Sequence, residues 1–224
     1  MQIDNAKVAF FDFCETLTDF QTADAFVDYV RGETNNQRAV RLELIRNIFH
    51  RTKLISILSR IFPKASIHKR LKLYQLKGFS ELELNSLAKG YYINRIRPHF
   101  IKPVIIRLKK LKDEGYIVGL VSGGYDIYLK YFKDEFGLDF VISSRIDFKE
   151  GICTGKMNGL DCLDDNKVIL LNKIFPQKPF SSIAFSDSKS DIPMLNYADI
   201  GVVISRGRHQ KWTDNYKFKE IIWD

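Results

Sequence analysis

Three short apolar runs in this chain each stop at a polar residue. Lys7 to Phe13 reaches a carboxylate at Asp12, Tyr116 to Val121 runs into Ser122-Gly123-Gly124, and Ser182 to Phe185 ends at Ser186-Asp187. Runs this short, and apolar rather than alternating, read as strands buried on both faces. Helical spacing separates them: Ile101 to Glu114 closes at Gly115, Tyr125 to Phe136 closes at Gly137, and Asp164 to Phe175 opens with Asp caps. Phe140 to Ser143 adds a strand, Arg145 to Gly155 alternates about Glu150-Gly151 like a hairpin, a short helix follows near Met194, and Ile200 to Ile204 makes the final strand. Alternating strands and helices predict an α/β fold: a Rossmann-like, mostly parallel sheet with helices on both faces.

The stretch between the first strand and this alternation has another period. Ala25, Phe26, Tyr29 and Val30 recur at helical spacing, as do Val40, Leu44, Ile45, Ile48 and Phe49, then Leu54, Ile57, Leu58 and Ile61. Glu81 to Tyr92 is helical again, with breaks at Pro63 and Gly78. The expected organisation is a core of residues 1–18 and 100–224, with residues 19–99 inserted as an α-helical cap domain.

Charge follows the same division. Residues 20–103 hold sixteen Lys and Arg against six Asp and Glu, while the rest holds nineteen against twenty-one. A basic middle suits phosphate-rich partners such as nucleic acid, anionic lipid or a multiply charged small substrate, and equally suits a solvated helical surface. A composition of 45% hydrophobic and 13% aromatic residues excludes disorder and collagen-like scaffolds. Three cysteines, Cys14, Cys153 and Cys162, make no disulfide framework and point to a reducing compartment. No signal peptide fits the first residues and no run approaches a membrane span, so a cytoplasmic location is expected. Cys153 and Cys162 read as packing residues, and no role follows for His50, His68, His99 or His209.

Ligands of open α/β sheets gather at the carboxyl ends of the strands. Those ends carry Asp12, Ser122 with two glycines, and Asp187 with Asp191 four residues on; Lys167 near a helix start can point the same way. Each alone has an ordinary explanation: a turn or cap for the carboxylates, a tight turn for Ser-Gly-Gly, a surface lysine. Together they are the parts of Mg²⁺-dependent phosphoryl transfer: hard oxygen ligands, donors to the phosphoryl oxygens, and an in-line nucleophile.

Their order resembles the haloacid dehalogenase superfamily, in its phosphoserine phosphatase-like branch with a helical cap. The likeness rests on Phe11-Asp12-Phe13-Cys14-Glu15-Thr16-Leu17, on Val118 to Gly124, on Asn166-Lys167-Val168-Ile169-Leu170, and on Ser186-Asp187-Ser188-Lys189-Ser190-Asp191 with Met194-Leu195 beyond. It implies a phosphomonoesterase in which Asp12 becomes a phosphoaspartyl intermediate. Mg²⁺ would be held by Asp12, the Cys14 backbone carbonyl, Asp187 and Asp191, the last as ligand or just behind. Ser122, Gly123 and Lys167 would bind the phosphoryl oxygens, and Thr16 would brace the loop. Ser186 in place of the usual glycine is expected to matter little.

One departure bears on mechanism. The family's phosphatases carry a second Asp two residues after the nucleophile as acid and base; here it is Cys14. A thiol beside carboxylates stays protonated, able to donate a proton but poor at accepting one from water. Hydrolysis with a substituted acid/base, a long-lived phosphoenzyme that serves another acceptor, and a barely active binding site all stay open. Retention of Asp12, Ser122, Lys167, Asp187 and Asp191 together favours catalysis.

The basic cap suggests a small anionic phosphorylated substrate richer in charge than phosphoserine, such as a sugar phosphate. The opening residues also resemble branch members that accompany bacterial surface-polysaccharide genes. The contrasting expectation is a membrane or nucleic-acid docking module built on residues 38–76, where Arg41, Arg46, Arg51, Lys53 and Arg60 are interleaved with apolar side chains.

Overall fold

A computed structural model of the chain describes residues 6–34, 66–177 and 181–224. The helices expected between Val40 and Ile61, the break at Pro63 and the arginines from Arg38 to Arg60 lie outside the described residues.

Six strands form one sheet in the order β3-β2-β1-β6-β7-β8, and every neighbouring pair is parallel. They are β1 (Lys7–Phe11), β2 (Ile117–Tyr125), β3 (Phe140–Ser144), β6 (Ser181–Ser186), β7 (Ile200–Arg206) and β8 (Lys219–Trp223). β4 (Ile146–Lys149) and β5 (Ile152–Met157) pair separately as an antiparallel hairpin. Its turn residues Glu150 and Gly151 both have positive φ, 52° and 74°, as a tight two-residue hairpin turn requires.

β1 lies at the centre of the sheet, and its side chains show why an unbroken apolar run is needed there. Ala9 and Phe11 pack into a cluster with Leu120, Phe185 and Ile204 on one face; Val8 and Phe10 join Phe140, Phe175, Ala184 and Val203 on the other. Phe11 stacks on Phe185 across the strand pair, ring centres 4.2 Å apart and planes 2° off parallel. One β1 residue in two thus serves each core, and a polar side chain at any of the four would be buried without a partner.

The described helices are α1 (Thr22–Thr34), α2 (Ile67–Tyr74), α3 (Glu81–Tyr91), α4 (Lys102–Asp113), α5 (Asp126–Phe136), α6 (Asp165–Ile174) and α7 (Ile192–Tyr197). Ser80 caps α3 by accepting from the Glu83 amide at 3.2 Å, and Gly137 ends α5 in the left-handed region at φ 56°. Phe26 and Val27 of α1, Leu73 of α2 and Leu84 and Tyr91 of α3 join the same apolar cluster as Phe11 and Leu120. Among the described residues, the inserted helices therefore share a continuous core with the sheet.

Three local expectations need correction. Asp164 does not cap α6: its φ of 49° and ψ of −135° turn the chain, and its side chain makes no capping bond. Strand β2 does not stop at Val121 but runs through the glycines to Tyr125, with a register shift against β3 between Ser122 and Tyr125. Ile200 to Ile204 is not the final strand. Residues 219–223 open with Lys219 and Glu220 and have only Ile221 to Trp223 as apolar residues, yet β8 pairs along β7 from Val202 to Arg206. There Glu220 accepts from Ser205 at 2.5 Å, and His209 bridges Glu220 and Asp214, so ion pairing holds an edge that apolar patterning does not reveal.

Candidate active site

The carboxyl end of β1 is where the chain leaves the sheet between β2 and β6, the switch point at which such folds bind ligands. One ladder bond continues past the strand, from the Asp12 amide to the Phe185 carbonyl at 2.9 Å, and it fixes Asp12 at the sheet's rim. Lys167, in the first turn of α6, is 1% exposed and reaches both Asp12 Oδ1 at 2.7 Å and Asp191 Oδ2 at 2.6 Å. Thr16 Oγ1 bonds Asp12 Oδ2 at 3.3 Å and Asp187 Oδ1 at 3.0 Å, and accepts from the Asp187 amide at 3.0 Å. Three segments far apart in sequence, residues 12–16, Lys167 and residues 187–191, therefore meet in one hydrogen-bonded cluster.

The electrostatics are those of crowded carboxylates. Burial pushes the Asp12 carboxyl up, Lys167 pulls it down, and the charge of Asp191 raises it again, with a net upward shift. Asp187 is raised to about 7, by burial first and then by Asp12. Burial opposes the charge of Lys167, but Asp12 and Asp191 outweigh it and hold the ammonium above the usual lysine range. One cation does not neutralise this cluster.

Asp191 is 2% exposed; its Oδ2 carries Lys167 and the Ser186 hydroxyl at 2.6 Å, and its Oδ1 is buried with no hydrogen-bond partner. Ser186 is therefore not an idle replacement for glycine, since it donates to Asp191 and accepts from the Ser188 amide at 3.2 Å. An orphaned carboxylate oxygen beside Asp12 and Asp187 is a donor set for a hard divalent cation. Among the described residues no three Asp, Glu, His or Cys side chains cluster at metal-binding distance, so a cation here requires backbone, water or substrate oxygens besides carboxylates.

Cys14 and Gly123 line the same cleft of about 430 Å³ as Asp12, Lys167, Asp187 and Asp191. Ser122 is fully buried under it, with its Oγ accepting from the Gly124 amide at 3.1 Å. The two glycines admit close neighbours: a Cβ on Gly123 would lie 2.4 Å from the end of the Leu163 side chain, and one on Gly124 2.8 Å from the Tyr128 hydroxyl, so either side chain would have to shift. The Cys14 thiol is pushed up to about 11, by burial and then by the charge of Asp12.

Lys69 carried no signal in the sequence. From α2 it reaches the Gly123 carbonyl at 2.6 Å, Ser144 Oγ at 2.9 Å and the Asp161 carboxylate, and it lines the cleft with His68. A lysine on a lysine-rich helix is indistinguishable from its neighbours until a loop folds against it. Lys72, one turn on, instead pairs with Asp28, and Arg97 with Glu135. Of the basic residues described between 66 and 102, Lys69 alone, with His68, lines this cleft.

The haloacid dehalogenase-like hydrolase family model matches residues 9–196. The chain belongs to that family. It is 26% identical over 199 residues to a phosphoserine phosphatase of Methanocaldococcus jannaschii, covering 88% of this chain and 84% of that one. It is 33% identical over 109 residues to a phosphoserine phosphatase of Streptococcus thermophilus, covering 47% of this chain and 51% of the other. A solved structure of a protein of unknown function from Bordetella pertussis Tohama I superposes with a TM-score of 0.80 at 17% identity, covering 97% of this chain and 98% of that one. The fold is thus the α/β fold of haloacid dehalogenase-like hydrolases, and the curated relatives point to the branch that the motifs indicate.

Proposed function

We propose that this haloacid dehalogenase-like phosphatase is a Mg²⁺-dependent phosphomonoesterase that works through a phosphoaspartyl intermediate on Asp12. The observation that carries the reading is Asp12 at the strand end, bonded to Lys167 and flanked by Asp187 and Asp191. Residues 1–18 and 100–224 form the catalytic core in this reading, and residues 19–99 the cap.

The cation would be held by Asp12, the Cys14 carbonyl and Asp187, with Asp191 Oδ1 as ligand or just behind; when bound, it offsets the charge that carboxylates and phosphoryl oxygens bring together. Lys167 and the Gly123 amide hold the phosphoryl oxygens, with Ser122 supporting their loop and Thr16 keeping Asp12 and Asp187 in register. An Asp12 oxygen attacks phosphorus as the bond to the leaving oxygen breaks. Cys14 gives that oxygen its proton, and the attacking water returns one to sulfur in the second half of the cycle.

The substrate we propose is a small anionic phosphorylated metabolite such as a sugar phosphate or surface-polysaccharide precursor, with Lys69 and His68 as the described basic groups beside it. A cytoplasmic site of action goes with this reading; no helix among the described residues is long and apolar enough to cross a membrane. Phosphate esters assayed with Mg²⁺ and with EDTA test the proposal. Turnover is expected with Mg²⁺ and abolished by the chelator; turnover that survives metal removal contradicts it.

Cys14 favours a second reading, a phosphotransferase with a long-lived phosphoenzyme. An activated aryl phosphate leaves without a proton, so the thiol keeps its own and offers water no base. The expected progress curve on a nitrophenyl phosphate is a burst followed by slower turnover. Cys14→Asp restores a carboxylate and is expected to raise the steady-state rate about tenfold or more; a linear curve, with no gain in the variant, would show that another group handles the proton. Arg41, Arg46, Arg51, Lys53 and Arg60, which motivate the membrane or nucleic-acid docking alternative, lie outside the described residues, and liposome co-sedimentation tests it.

A further inference from the structure

We infer that Tyr128 and Thr22 are positioning residues that aim the Cys14 thiol proton into the cleft. Thr22 opens α1, Tyr128 sits on α5 just after the Ser122-Gly123-Gly124 loop, and both are fully buried. The Tyr128 hydroxyl lies 2.9 Å from Thr22 Oγ1, which lies 3.0 Å from Cys14 Sγ; the Thr22 amide also donates to that sulfur at 3.5 Å.

Hydrogen-bond bookkeeping gives this chain a direction. The Tyr128 hydroxyl proton has Thr22 Oγ1 as its acceptor among the described residues. Thr22, having accepted that proton, turns its own toward sulfur. Cys14 Sγ then accepts from both the hydroxyl and the amide of Thr22, and its S–H is left with the open side, the cleft it shares with Asp12. The reverse direction would spend the thiol proton on Thr22 and strand the Tyr128 proton in a fully buried site, which is costly.

Two further contacts hold the relay still. The Tyr91 hydroxyl donates to the Thr22 carbonyl at 2.8 Å, and Phe26, Tyr91, Tyr125 and Tyr128 pack edge-on or tilted around it. Gly124 leaves room for the Tyr128 hydroxyl, since a Cβ there would come within 2.8 Å of it. Helix α5, the first inserted helix and Cys14, two residues after the nucleophile, are thereby tied through one hydroxyl pair.

The donor step rests on the phosphatase reading above; the orientation does not. Donation passes the proton from sulfur to the leaving oxygen as the phosphorus–oxygen bond breaks, and the S–H electron pair stays on sulfur, where two donors from Thr22 hold the thiolate.

Infrared difference spectra of the metal-free protein, wild type minus Cys14→Ser, isolate the S–H stretching band of Cys14. Tyr128→Phe and Thr22→Val are each expected to shift that band, and Thr22→Ser, which keeps the hydroxyl, to leave it in place. The ratio of alkyl to nitrophenyl phosphate turnover is expected to fall about tenfold or more in the first two variants and to be rescued in Thr22→Ser. A band unmoved in both Tyr128→Phe and Thr22→Val overturns the orientation, and a moved band with an unchanged ratio overturns the donor role. Absence of all ester turnover in the wild type counts against the phosphatase reading instead, because the band is read without substrate.

Discussion

Asp12→Asn is expected to lower phosphate-ester turnover by about 10⁴-fold or more, since it removes the attacking oxygen's charge without changing the side chain's shape. The amide oxygen can still accept from Lys167 as Asp12 Oδ1 does at 2.7 Å. Burial already disfavours the charge of Asp12, so the neutral isostere is expected to keep the fold's stability within about 1 kcal/mol. Kinetics and denaturation measured together separate this from general damage. Loss of activity with loss of folding would leave the nucleophile unassigned, and retained activity would remove Asp12 from that role.

Lys167→Met has a different signature, because the lysine neutralises charge for two partners. Its removal leaves Asp12 and Asp191, 6% and 2% exposed, facing each other without their shared cation. Breaking a buried pair in this way costs about 3–5 kcal/mol. The sign with pH follows from linkage: the variant's native state retains a proton on the cluster that the unfolded chain, with ordinary carboxylates, releases near pH 4. Stability of the variant relative to the wild type therefore falls as pH rises above that value, and the defect is small in mild acid and full at pH 8. Urea titrations at pH 5 and pH 8 measure it, and added Mg²⁺ is expected to recover part of the loss at pH 8. Turnover is expected to fall about 10²–10³-fold through the missing phosphoryl donor. Equal stability of variant and wild type at pH 8 would mean that Lys167 does not balance these carboxylates.

What could be read in advance divides along physical lines. Strand ends were legible because a doubly covered strand must be apolar throughout, so Asp12 and Asp187 stood out against Val8 to Phe11 and Ile183 to Phe185. The glycines after Ser122 were read as a turn, whereas they continue β2, and the approach of Leu163 and the Tyr128 hydroxyl to them belongs to tertiary packing. Lys69 was not legible, since its partners Gly123, Ser144 and Asp161 lie 54 to 92 positions away. Tyr128 was read as a helix residue only and Thr22 was given no role, because a buried hydroxyl relay leaves no periodic trace. β8 escaped because its apolar stretch, Ile221 to Trp223, is only three residues long, with Ser205, Glu220 and His209 bonding beside it.

Cys14 shows the limit of motif reading most sharply. In the proposed mechanism the motif would supply a backbone oxygen whatever side chain stands there, while the proton transfers would depend on the side chain itself. Its environment, the Thr22 hydroxyl and amide on one side and the cleft on the other, became visible only with the fold.

Trapping the phosphoenzyme tests the central claim most directly. The protein is mixed with Mg²⁺ and a ³²P-labelled phosphate ester, quenched in acid during turnover, and digested for peptide mapping. The expected label sits on the peptide containing Asp12, is released by hydroxylamine as an acyl phosphate, and is absent from Asp12→Asn. Steady turnover with no acid-stable label on that peptide, or label on another residue, would contradict nucleophilic attack by Asp12.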